Sequence, residues 1–140
     1  MVQSMSDQIS RSSIDFDSRE RFISLRRALD VESFGINQMT LLPGQRGRIH
    51  RPLEQEEVYV VLQGRLTLVV EGDALELDAG EVVRLPPRVR RQLANDGEEP
   101  CVVLALGGSG THVGRDGEAF QSWDATEGHA PRDVPLPPDA

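Results

Sequence analysis

A chain of 140 residues has room for one hydrophobic core, which excludes two independent domains of ordinary size. Fifteen Lys+Arg against twenty-three Asp+Glu leave a formal charge of -8, the wrong balance for a nucleic-acid partner, whose phosphates demand an excess of cations. With only 4% aromatic residues, the core must come from the Val, Leu and Ile that crowd residues 34 to 106, a composition that favours strands.

Residues 1–20 are rich in Ser, Asp, Arg and Gln and carry few large apolar side chains to offset the entropy of ordering, so they read as a mobile N-terminal arm. Ile14 and Phe16 offer the alternative of insertion into a neighbouring subunit. Phe22 to Leu29 fits a helical turn or a first strand. From Phe34 the punctuation is regular. Apolar runs at Phe34–Leu42, Val58–Gln63, Leu66–Val70, Ala74–Leu77, Val82–Leu85, Val89–Ala94 and Cys101–Leu106 are separated by turn residues such as Pro43-Gly44, Gly64, Glu71-Gly72-Asp73 and Asn95-Asp96-Gly97. That rhythm predicts an antiparallel sandwich or barrel. Runs apolar on both faces, such as Val58-Tyr59-Val60-Val61-Leu62, suit a closed or double-layered sheet.

Beyond Leu106 the chain turns Gly- and Pro-rich, and residues 111–140 read as a C-terminal tail rather than a second domain. Phe120 and Trp123 stand at helical spacing, which predicts a short element docked on the barrel. Cys101 is the single cysteine, so no intramolecular disulfide forms, and its apolar flanks predict a buried, inert thiol. No apolar stretch approaches a membrane span, and Met1 to Ser13 is polar rather than signal-like. The expected setting is cytoplasmic, with no membrane or nucleic-acid partner.

Two segments carry the chemistry. In the first, Gly44, His50, Glu57 and Gly64 match the spacing Gly, five residues, His-x-His, four residues, Glu, six residues, Gly, with Pro52 at the second His position. In the second, Gly80, Pro86 and Asn95 match Gly, five residues, Pro-x-Gly, two residues, His, three residues, Asn, with Arg88 at the second Gly and Arg91 at the His. These segments resemble the two motifs of the cupin superfamily. The resemblance implies an all-β cupin jelly roll, a double-stranded β-helix barrel over residues 21–110 with flexible N- and C-terminal extensions, and a homodimer in which the N-terminal segment reaches across.

In metal-binding cupins, both histidines and the Glu of the first motif and the His of the second surround iron, manganese, nickel, zinc or copper. Carried over to this chain, only His50 and Glu57 remain as donors. Pro52 has no side-chain donor, and Arg91 offers only protonated nitrogens that repel a cation. No metal and no other cofactor is therefore expected. Arg91 would instead pair with Glu57 inside the barrel. Alternation along a strand places Arg46, Arg48 and His50 on one side, and Glu57 and Tyr59 on another shared side.

The predicted ligand-binding set is His50, Glu57, Arg91, Arg48 and Tyr59, suited to a small-molecule ligand such as a carboxylate, phosphate or sugar-like anion. Arg46 and Arg51 join Arg48 at the mouth, and His112 reaches the site if the tail folds over it. No catalytic residue is assigned. The alternatives are a metal-dependent oxygenase or isomerase with His50 and Glu57 as residual ligands, a metal-free epimerase-like catalyst with His50 as base, and a mainly structural cupin.

Overall fold

The computed structural model describes residues 8–108 and 116–140. Ten strands follow in chain order: β1 (Phe22–Ser24), β2 (Gly35–Leu41), β3 (Ile49–Pro52), β4 (Glu56–Gln63), β5 (Arg65–Val70), β6 (Asp73–Asp78), β7 (Val82–Leu85), β8 (Arg91–Ala94), β9 (Cys101–Gly108) and β10 (Gly117–Phe120). Helix α1 (Leu25–Leu29) follows β1, so the ambiguous stretch is a strand and a helical turn in succession. Ser24 separates them: its side chain accepts the Arg27 N–H and caps the helix, while Asp30 in the left-handed region ends it.

Five strands form one antiparallel sheet in the order β1-β2-β9-β4-β7, and five form a second in the order β10-β3-β8-β5-β6. This is the two-sheet jelly roll that the apolar rhythm and the motifs predicted. N-terminal to β1, the Asp15 N–H donates to Gln38 Oε1 and Gln38 Nε2 donates back to the Asp15 carbonyl, which seats this segment on β2.

The tail departs from expectation. Gly117–Phe120 is not helical but an edge strand on β3, pairing Ala119 with His50 and Phe120 with Ile49. Its backbone groups close an edge of β3 that would otherwise stand open, and Phe120 is buried beneath the Arg90 guanidinium, 3.8 Å from the ring centroid. Further on, Arg48 Nε donates to the Val134 carbonyl and the Ala140 N–H to the Gly44 carbonyl, which fastens the Pro-rich end along the barrel.

A taper in side-chain size shapes the interior. On β2 the inward positions run Leu41, Met39, Asn37, Gly35, and on its neighbour β9 the partners are Cys101, Val103, Ala105, Gly107. At one end Leu41, Val61, Leu66, Leu68, Leu93 and Val103 pack into a core. Toward the other end the side chains shrink or become polar, and a cavity of about 470 Å³ opens there. Cys101 lies at the packed end, and burial pushes its thiol up to about 12, which keeps it protonated and unreactive.

Left-handed backbone recurs at four motif positions, Gly44, Gly64, Gly80 and Arg88, of which two are informative. Gly64 has φ +75, and a β-carbon there would collide with the Pro100 carbonyl oxygen. Arg88, at φ 71, stands where the second motif has glycine. The two positions respond oppositely to substitution. Gly64→Ala is expected to destabilise the fold by about 2 kcal/mol or more, whereas Arg88→Gly, which relieves a side chain from the left-handed region, should stabilise it by about 0.5–1 kcal/mol in denaturant titrations.

Candidate functional site

The open end of the taper is lined by His50 and Pro52 from β3, Glu57 from β4, Asn37 from β2 and Ala105 from β9, with Gln55, Asp116 and the segment Ala130–Arg132 around them. His50 and Arg91 are directly paired across β3 and β8, and Glu57 faces them from the other sheet. Arg91 is wholly buried at 0% exposure. Its Nη1 donates to Glu57 Oε1 at 3.0 Å and its Nη2 to the Pro86 carbonyl at 2.8 Å.

The same carboxylate oxygen accepts the Tyr59 hydroxyl at 2.8 Å, and His50 Nε2 lies 3.8 Å from it, within Coulombic range but too far for a hydrogen bond. Since His50 Nδ1 sits 3.1 Å from the Arg48 carbonyl, which only accepts, Nδ1 carries a proton, and Nε2 is the ring nitrogen that faces Glu57. Burial works to raise the Glu57 pKa, yet His50, Arg91 and the Tyr59 hydroxyl outweigh it, and the carboxyl sits below its ordinary value. Burial, the Glu57 charge and the bond to Glu57 together hold Tyr59 well above its usual range, so it remains a neutral donor.

The structure thus brings together four of the five residues singled out from the sequence. Of these, His50 and Glu57 line the cavity, while Arg91 and Tyr59 stand behind Glu57 and set its charge and position. Arg48 is elsewhere. Gly47 interrupts the strand alternation, donating its N–H to the Leu93 carbonyl, and β3 begins only at Ile49, so the side chain of Arg48 turns outward to Val134.

Neither of the other two mouth arginines lines the cavity. Arg51 is paired with Glu118 at 2.6 Å across β3 and β10, and Arg46 Nη2 donates to the Pro138 carbonyl. His112 lies outside the described residues. Sequence reasoning missed Asn37, Gln55, Asp116 and Arg132. Asn37 was findable, since it occupies the inward position two before Met39 in a run read as a strand. Asp116 and Arg132 come from the tail, where no periodicity places a residue. Asp116 Oδ2 accepts the N–H groups of Leu53, Glu54 and Gln55 at 2.9–3.0 Å and fixes the turn entering β4.

The profile of the cupin domain matches residues 37–107, half of the chain, from within β2 to within β9, leaving out β1 and β10. The chain belongs to the cupin family. It is 38% identical over 66 residues to the glucose-6-phosphate isomerase of Pyrococcus furiosus, covering 44% of this chain and 35% of that enzyme. It is 40% identical over 71 residues to the endoribonuclease YbeY of Myxococcus xanthus, covering 51% of this chain and 24% of that protein. The chain therefore spans about a third or less of these relatives. Among solved structures it resembles a cupin protein from Bacteroides fragilis, with a TM-score of 0.64 and 19% identity over 85% of this chain and 96% of that one. It also resembles a cupin-superfamily sugar phosphate isomerase from Silicibacter pomeroyi, with a TM-score of 0.64 and 22% identity over 92% of this chain and 90% of that one.

The residues present do not fit the metal that many cupins hold. Pro52 and Arg91 occupy two of the four ligand positions, and the Arg91 guanidinium already engages the carboxylate that a metal would need. Among the described residues, no group of three or more His, Cys, Asp or Glu is placed to hold an ion.

Glu57 gives a testable pH dependence. Because its folded pKa lies below its ordinary value of 4.5, the pair stabilises the fold above about pH 4.5, and that contribution is lost as the pH falls through the folded value. Glu57→Gln should flatten this acid limb in urea titrations. At pH 7 the same variant should lose about 3–5 kcal/mol, because Arg91 is left buried without its counter-charge.

Proposed function

We propose that this cupin binds a small hydroxylated or anionic molecule in the tapered cavity without a tightly held metal. The observation that supports it most directly is the buried Arg91 guanidinium on Glu57, at the position where the second cupin motif carries a metal-ligating histidine. The ion pair offsets the Glu57 charge, which lowers the repulsion that an entering anion meets. A volume of about 470 Å³ falls within the range of small-molecule sites, and His50, Glu57, Asn37 and Gln55 supply convergent polar groups for hydroxyls.

Metal content decides the reading. Protein purified without added metal should hold less than roughly a tenth of an equivalent of iron, nickel, manganese or zinc by elemental analysis, given two donors where about four are needed. One tightly held equivalent would overturn it. Pro52→His combined with Arg91→His restores the missing donors, and that variant should gain stoichiometric zinc or nickel where the parent binds none.

A catalytic version of the same reading is favoured by the glucose-6-phosphate isomerase relatives. His50, whose Nδ1 is held on the Arg48 carbonyl and whose Nε2 faces Glu57 at the cavity wall, is the group that in its neutral form would withdraw a proton beside a sugar carbonyl. Conversion of fructose 6-phosphate to its aldose by metal-stripped protein, lost in His50→Gln, is the expected signature, and its absence leaves binding alone.

A further inference from the structure

Resting on the cavity reading above, we propose that Arg132 is the anion-binding residue of this site. It takes the phosphate or carboxylate of a ligand whose hydroxylated body reaches inward to His50 and Glu57. The distribution of charge around the cavity carries the inference. Glu57 is committed to Arg91, and Asp116 is held by three backbone N–H groups. Arg132 also lines the cavity, is exposed, and has no hydrogen-bond or ion-pair partner among the described residues. Among the described residues it is the cavity's one unengaged guanidinium, and a planar fork of donors is matched by the oxygens of a phosphate or carboxylate.

Its backbone is held while its side chain is free. The segment before it is pinned by two hydrogen bonds between Ala119 and His129, at 2.7 and 2.8 Å. The 3-10 turn Pro131–Asp133 is closed by the Asp133 N–H on the Ala130 carbonyl, and Val134 just after it is buried. Such anchoring fixes where the side chain leaves the rim, so that a bound anion has only the side chain itself to order. Phe22, on edge strand β1 of the other sheet, also lines the cavity and is 57% exposed, which supplies an apolar wall for the body of the ligand. A phosphorylated sugar combines these features.

Calorimetry on the full chain with fructose 6-phosphate and with fructose tests this. The wild type should bind the phosphorylated sugar at least about tenfold more tightly, with the preference shrinking as salt is raised. Arg132→Gln should erase the preference while leaving fructose affinity unchanged, Arg132→Lys should retain part of it, and His50→Gln should weaken both sugars. Equal affinity of the wild type for both, or a preference that survives Arg132→Gln, overturns the assignment of Arg132 and leaves the cavity reading standing. Binding of neither sugar overturns both.

Discussion

A guanidinium with no access to solvent must be compensated where it lies, and in this barrel the compensation comes from one carboxylate. Arg91 and Glu57 belong to opposite sheets, so their contact ties the two layers together at the point where the interior stops being apolar. Removing either charge strands the other, which is why the pair constrains its surroundings more than its net contribution to stability would suggest. Tyr59 stays neutral because it is buried and lies against the Glu57 charge, Glu57 stays charged because His50 and Arg91 face it, and the Pro86 carbonyl takes a second donor of Arg91. Among the described residues the Nε of Arg91 is buried without a partner, so these groups alone do not form a fully satisfied network.

The same pair determines what the site can do chemically. A cupin interior that keeps His50 and Glu57 but has a proline and an arginine at the other two ligand positions offers fewer donors to a cation and more hydrogen-bonding groups. What remains at the cavity wall is an imidazole whose Nδ1 is held by a backbone carbonyl and a carboxylate whose charge is already balanced. Those groups suit hydroxyls and carbonyls, and they bear no excess negative charge to repel an anion.

The cavity itself is a product of packing and of the tail. Shrinking side chains along β2 and β9 leave space between the sheets, and the chain beyond the barrel strands then walls that space. Edge strand β10 pairs with β3, Asp116 fastens the turn entering β4, and the turn after His129 brings Arg132 to the rim. A segment with the composition of a loose extension is in this way part of the site, held by backbone hydrogen bonds and a buried Phe120 rather than by a large apolar surface of its own.

The barrel and the first layer of the site were legible from the residues alone. Apolar runs and the turn residues between them located β2 and β4 to β9, and motif spacing singled out His50, Glu57 and Arg91, because strand geometry converts sequence distance into a shared face. That logic failed at Arg48, where Gly47 and the late start of β3 broke the alternation, and at Phe120, whose helical spacing to Trp123 lost to the open edge of β3. It was silent about Arg132 and Asp116, since contacts across more than sixty residues of chain leave no local period. The chain's own order of residues determined a jelly roll with a guanidinium in place of a metal ligand. Which groups face the cavity was decided only in three dimensions, because burial of Arg91 behind Glu57 and delivery of Arg132 to the rim both depend on segments distant in sequence coming together.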